Sequence, residues 1–153
     1  MSHKSGSCLL RIAVPAPLRR SFDYLPPPGV DSRRLLPGVR LRVPFGRSEV
    51  TGVLLGLADT PQVPGIRLKR ARRLLDETPL LPPDLLWLLV WASRYYQHPV
   101  GEVLQQALPV LLRQGKPAQG KGIEQWRLTP SGAGALPADL SRAPRQAALL
   151  DLL

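Results

Sequence analysis

Phe22-Asp23 follows Arg19-Arg20, Phe45-Gly46 closes a stretch in which Arg40 and Arg42 alternate with apolar residues, and Lys69 lies inside the basic run Arg67–Arg73. Together these residues supply an aromatic ring, a backbone without a side chain, a carboxylate and several cations. Such a set can hold one nucleotide. The ring stacks on the base, the cations meet phosphate, and the carboxylate accepts from a hydroxyl or an exocyclic amine. Around these residues, the candidate phosphate contacts are Arg19, Arg20, Arg40, Arg42, Arg47 and Arg67. Asp23 is the residue whose charge opposes its surroundings: it repels phosphate unless it meets a donor. The same residues also have a structural reading, with Phe22 as plain core and Asp23 as a turn residue.

Other chemistry is excluded or weak. There is no Gly-x-x-x-x-Gly-Lys-Ser/Thr loop for a nucleotide, no Gly-x-Ser-x-Gly elbow and no His-Glu-x-x-His helix. One cysteine, Cys8, and two histidines, His3 and His98, are too few for a disulfide framework or a cysteine- or histidine-built metal site. Cys8 and His98 as a nucleophile pair is weaker than a small apolar Cys and a helix-ending His. Trp87 and Trp91, four residues apart, can stack on bases, but at helical spacing they read first as packing residues. Neither a signal peptide nor an apolar run of transmembrane length is present, which points to the cytoplasm and away from a membrane.

The charge is unevenly placed. Lys and Arg number 21 against 11 acidic residues. Residues 1–75 hold fourteen basic and four acidic residues, whereas 76–153 hold seven of each. The whole net charge of +10 therefore lies in the first half, and a polyanion, either nucleic acid or an anionic membrane surface, is the expected partner.

The elements that must position these residues read as β then α. Leu9–Val14, Ser21–Leu25, Val39–Val43 and Val50–Leu57 are expected strands, separated by Pro/Gly turns. In Val39–Val43 the period-two alternation puts the apolar residues on a core face and Arg40 and Arg42 on a solvent or ligand face. Gly52 and Gly56 suggest bulges or sharp curvature in the last strand, as in a small barrel. Ile66–Leu75 fits neither period and is assigned to a further strand. Pro82-Pro83 opens a helix whose expected core stripe is Leu85, Leu88, Leu89, Ala92 and Tyr96, and a second helix covers about Gly101–Ala107. The fold class is thus mixed β + α: a small N-terminal β-barrel-like part at 9–75 with packed helices at 82–107, together one domain at 8–108. A linker is expected at 109–122. Ile123–Leu128 reads as a strand and Pro144–Leu153 as a helix that the chain end cuts off mid-pattern, so the sequence reads as a fragment of something longer.

The residues of the nucleotide constellation also carry a family resemblance. Val14-Pro15-x-Pro17-Leu18-x-x-Ser21-Phe22-Asp23-Tyr24-Leu25, then Pro37-Gly38-Val39-Arg40-Leu41-Arg42-Val43-Pro44-Phe45-Gly46-Arg47 and Thr51-Gly52-Val53, resemble the start of primosomal protein N′ (PriA), the family of bacterial replication-restart helicases. Leu86–Tyr96, His98-Pro99-x-Gly101-Glu102-Val103-Leu104 and Ala107-Leu108-Pro109-x-x-Leu112-Arg113-Gln114-Gly115 continue it in order. The resemblance implies a 3′-end DNA-binding domain at about 8–108 and the start of a winged-helix domain at 123–153. It implies capture of the 3′-hydroxyl end of the nascent leading strand at a stalled fork, with Phe22, Asp23, Gly46 and Lys69 as the end-binding residues. The family's ATP-binding helicase lobes and cysteine-rich zinc module have no counterpart here, so this chain is expected to bind DNA without ATP, zinc or catalysis. Two rival readings remain. In one, the neutral Trp87–Tyr96 helix is an adaptor that docks a single-strand-binding protein or another primosome protein. In the other, the chain is a generic nucleic-acid-binding barrel.

Overall fold

The computed structural model describes residues 8–118, 129–130 and 143–150. Its first unit, within residues 1–118, is built on one antiparallel sheet. The strands are β1 (Leu9–Ala13), β2 (Phe22–Tyr24), β3 (Arg40–Phe45), β4 (Ser48–Ala58) and β5 (Arg73–Leu74), in the spatial order β2-β1-β4-β3-β5. β4 has eleven residues and serves two partners. Its first half pairs with β3, from Phe45↔Ser48 to Arg40↔Val53, and its second half pairs with β1, from Ala13↔Val53 to Leu9↔Ala58. The register slips between Arg11 and Ile12, where Leu55 has no partner beside Gly56. This is the expected bulge. Gly52 has another cause: a Cβ there would press on the Ile12 side chain.

The expected barrel does not close through a continuous ladder. Beyond the two edge strands, Leu25 and Arg70 form one isolated parallel bridge. Leu25 N–H donates to Lys69 O and Ala71 N–H donates to Leu25 O, both at 2.9 Å. Most of Ile66–Leu75, assigned to a strand from sequence, is irregular, and only Arg73–Leu74 joins the sheet.

Two apolar clusters sit on opposite sides of β1 and β4. Leu10, Ile12, Tyr24, Leu41, Val43 and Leu54 fill the inside of the curled sheet. Ala13 and Val53 face outward and meet Leu81, Leu86, Leu104 and Leu108. These belong to or flank α1 (Pro83–Tyr95) and α2 (Val100–Ala107), which precede the short α3 (Val110–Arg113). Pro83 opens α1 as expected, where its missing N–H costs nothing. The stripe that α1 buries differs from expectation. Leu86 and Ser93 are buried with Leu89 and Val90 beside them, while Leu85, Leu88, Trp87, Trp91 and Tyr96 are exposed. The run Leu85–Trp91 is apolar all round, so a helical period has no unique phase there, and docking chose the face. The packing role expected for Trp87 and Trp91 is corrected accordingly: they are 67% and 44% exposed.

β3 is covered on both sides, which overturns the solvent-face reading of its arginines. Arg40 is fully buried. Its Nε donates to Asp76 Oδ2 at 2.8 Å and one Nη2 hydrogen to Asp76 Oδ1 at 2.7 Å. Arg40 Nη1 donates to Leu112 O at 2.6 Å, Nη2 also to Lys116 O at 3.1 Å, and the backbone N–H to Asp76 Oδ2 at 2.9 Å. Half-buried Arg42 donates to Gln114 O at 2.8 Å. Both side chains hold the 112–116 segment on the sheet, so Arg40 is withdrawn as a phosphate contact. The linker expected from 109 starts instead as packed structure. In the second unit, within 119–153, α4 (Pro144–Leu150) matches the expected helix, while the expected strand Ile123–Leu128 lies outside the described residues.

Two substitutions test this packing. Asp76→Ala leaves a buried guanidinium without its anion and should destabilise the first unit by about 3–5 kcal/mol in urea unfolding. Gly101→Ala would normally stabilise a helix by about 0.5–1 kcal/mol. In α2 the added methyl would overlap the Val14 carbonyl. The sign should therefore reverse, to a loss of about 1–3 kcal/mol measured the same way.

Candidate nucleic-acid interface

Phe22 and Phe45 meet edge to face, with ring centroids 5.2 Å apart and planes at 78°. They hold one side of a cleft of about 250 Å³ between β2, the β3–β4 turn and the 61–69 segment. Tyr24 anchors β2 to the end of β3: its buried hydroxyl donates to Pro44 O at 3.1 Å. Burial pushes the Tyr24 phenol up to about 12. The β3–β4 connection is two residues long, Gly46-Arg47, between the pair Phe45↔Ser48. Gly46 has φ +60 and Arg47 does not have positive φ, as a type II′ hairpin requires. Nothing lies within 4 Å of a Cβ at Gly46, so the space above it is open.

Asp23 is directly across from Arg11 in the β1–β2 ladder. Its side chain is 4% exposed. Asp23 Oδ2 accepts from Gln62 N–H at 2.6 Å, and Oδ1 lies 3.4 Å from Arg11 Nε. With the Gln62 amide turned to satisfy both of its ends, its oxygen accepts from Arg11 Nε and Ser21 Oγ, each at 2.9 Å. The carboxylate thus pins the loop around Gln62 over the cleft. A carboxylate offers about four lone-pair sites, so it keeps capacity for a ligand donor.

Phe22, Asp23, Gly46 and Lys69, the four residues singled out from sequence, all line this cleft. Lys69 gets there through the isolated bridge, where its carbonyl accepts from Leu25 N–H, one residue beyond β2. Arg20 and Arg67 line the cleft too, and the Arg20 guanidinium lies 4.9 Å from the Phe22 ring centroid. Arg47 is exposed in an adjoining groove. Arg19 points elsewhere and donates to the Gln97 side-chain oxygen. Arg40 and Arg42 are absent from the cleft lining. Sequence reasoning missed Gln62, Arg11 and Tyr24. Arg11 was readable only as a charge interrupting an apolar strand, because its partner depends on the β1–β2 register.

Residues 11–109 match the family model of the PriA 3′ DNA-binding domain. The chain belongs to that family. It is 38% identical over 146 residues to the replication restart protein PriA of Haemophilus influenzae, a match covering 95% of this chain and 20% of that protein. The PriA protein of Bacillus subtilis is 31% identical over 94 residues, 61% of this chain and 12% of the relative. That of Buchnera aphidicola from Schizaphis graminum is 26% identical over 105 residues, 69% and 14% respectively. The chain therefore spans about a fifth or less of the length of these relatives. The family match begins before β2 and ends just after α2, so it encloses every residue of the cleft.

The raised Tyr24 phenol makes a pH prediction. Below the ordinary value of about 10 the hydroxyl is protonated in both folded and unfolded chains. Between there and about 12 only the unfolded chain releases the proton, so stability falls as pH rises. Tyr24→Phe should cost about 0.5–1.5 kcal/mol at pH 8 and should unfold with a shallower loss of stability above pH 10, followed by urea midpoints across that range.

Proposed function

We propose that this chain binds DNA at branched replication forks and recognises the 3′-hydroxyl end of the nascent leading strand. In this reading it is the DNA-binding part of a replication-restart helicase and acts in the cytoplasm by binding, without catalysis of its own. One observation carries the reading: an aromatic pair, a carboxylate, an open glycine turn and an exposed lysine converge on a single cleft of about 250 Å³, the scale of one nucleotide. The base enters against Phe22 and Phe45, Gly46 lets the strand approach the backbone, and Lys69 and Arg67 take a phosphate. The terminal hydroxyl donates to Asp23. The family's name supports DNA and a 3′ end as the ligand.

The chemistry of Asp23 sets the test. A hydrogen bond to a charged group contributes about 1.5–3 kcal/mol, or ~10- to 100-fold in affinity. A 3′-phosphate at the same place brings two anions together. Forks that differ only in a 3′-hydroxyl or a 3′-phosphate should therefore compete unequally, with the hydroxyl favoured. Asp23→Asn keeps an acceptor for Gln62 N–H but loses the charge, so it should lose the discrimination while keeping salt-dependent binding to internal DNA. Equal binding of both forks by the unsubstituted chain would defeat end recognition.

The exposed rings of α1 favour a second reading. Trp91 stacks on Tyr95 with centroids 5.0 Å apart, and Tyr95 and Tyr96 are 66% and 72% exposed. Such a face suits docking of a single-strand-binding protein or another primosome protein. Partner binding that ignores salt and is lost in Trp91→Ala would support it, whereas DNA affinity that falls steeply with salt supports the first.

A further inference from the structure

The nucleotide cleft is not closed on its Gly46 side. Pro44, Gly46, Arg67, Leu68 and Lys69 line both the cleft and an adjoining groove of about 710 Å³. That groove adds Arg47, Arg70 and Arg72 to the cations it shares, against the single acid Glu49. Glu49 is already held by Arg72 Nε at 2.9 Å, and Arg70 Nη1 is fixed on Pro26 O at 2.6 Å. Arg47, Arg67 and Lys69 are exposed and make no side-chain hydrogen bond or ion pair among the described residues. A row of five guanidinium and ammonium groups with one neutralised carboxylate is the electrostatic footprint of a polyanion.

The two ends of the cleft differ chemically. The Asp23 carboxylate is held by Arg11 and by the Gln62 backbone, which line a separate groove beside α1. Lys69, Arg67 and Gly46 are among the residues shared with the basic groove. A terminal nucleotide has one free hydroxyl and one phosphate that continues the strand. If the hydroxyl meets Asp23, the phosphate leaves toward the cations. The other opening runs past Arg20, Ser21 and Gln62 to Arg19 and Arg94, but Gln62 N–H is bound to Asp23 there and Arg19 is engaged by Gln97.

We infer that the groove of Arg47, Arg67, Lys69, Arg70 and Arg72 carries the phosphodiester backbone of the strand whose last nucleotide fills the cleft. The strand then runs 5′ to 3′ along the groove, over the Gly46 turn and into the cleft. This rests on the end-recognition reading above and adds the path and polarity of the strand.

The experiment measures binding of single-stranded oligonucleotides, from a dinucleotide to a hexanucleotide with a free 3′-hydroxyl, to the full chain as salt is varied. Affinity should rise with length, and the salt dependence should steepen by about 0.7 in log–log slope for each phosphate engaged. Arg47→Gln touches the groove and not the cleft. It should leave the dinucleotide affinity unchanged, weaken the hexanucleotide about two- to fivefold, and flatten the slope by about 0.7. Glu49→Gln should act in the opposite sense, tightening the hexanucleotide and not the dinucleotide, because it removes the groove's one anion and frees Arg72. Arg94→Gln should change neither. Loss of the length gain in Arg94→Gln but not in Arg47→Gln would overturn the path. No response to Arg47→Gln or Glu49→Gln, with 3′-hydroxyl preference intact, would overturn the groove alone. Equal binding of 3′-hydroxyl and 3′-phosphate hexanucleotides would overturn end recognition and the polarity with it.

Discussion

Arg40 is the point on which the first unit hangs. A buried guanidinium is costly to desolvate, and its burial is tolerable only when its donors are met by well-placed acceptors. Here a bidentate carboxylate from Asp76 and the carbonyls of Leu112 and Lys116 meet them. Three stretches far apart in sequence are thereby fixed to one another: β3, the segment after β5, and α3 with the residues that follow it. The consequences reach the cleft along the backbone. β3 carries Phe45 and Gly46 at its far end, and Arg72 N–H donates to Arg42 O while Leu75 N–H donates to Arg40 O. These bonds hold 69–75 alongside β3. Lys69 and the Leu25 bridge lie at the other end of that same stretch.

The Arg40 node also shows where sequence reading succeeds and where it stops. Alternation of Val39, Leu41 and Val43 with Arg40 and Arg42 is a true strand signal, and the strand is there. What alternation cannot say is whether the second face stays open. It is covered because residues 112–116 fold back over it, a contact separated by more than seventy residues. The same limit explains α1. Its ends were legible from Pro83 and from His98-Pro99, but its buried stripe was not, since nearly every position from Leu85 to Trp91 is apolar. Short-range chemistry carried further. Phe22-Asp23 as an extended piece, Pro44-Phe45-Gly46 as a strand end and turn, and Gly56 beside a bulge all rest on local backbone rules, and all hold. Lys69 is intermediate. Its basic run was visible, but its place in the cleft depends on one bridge in an otherwise irregular stretch.

Asp23 is not the turn residue that one sequence reading expected: it sits in the middle of β2. As a structural residue it is paired across the ladder with Arg11 and caps the Gln62 amide. It is also a carboxylate on the wall of a cleft whose lining includes Phe22, Phe45, Arg20, Arg67 and Lys69. The structural role would serve the proposed one. A carboxylate held by a backbone N–H and a neighbouring guanidinium has a fixed direction, and a fixed acceptor discriminates better than one that must be ordered on binding.

The basic excess of residues 1–75 resolves in the same way. Several of its cations already have partners within the protein: Arg40, Arg11, Arg72 and Arg34 pair with Asp76, Asp23, Glu49 and Asp31, while Arg70 donates to the Pro26 carbonyl and keeps its charge. Net charge alone overstates what a ligand meets. Arg20, Arg47, Arg67 and Lys69 have no acidic partner among the described residues, and all four line the cleft or the groove that continues it. Arg33 and Arg73 also lack an acidic partner among the described residues but stand apart, so the cleft and its groove are where unpaired cations gather rather than the only place they occur. In the proposed reading, a polyanion drawn to the molecule by its overall charge would find unpaired cations gathered beside the rings of Phe22 and Phe45.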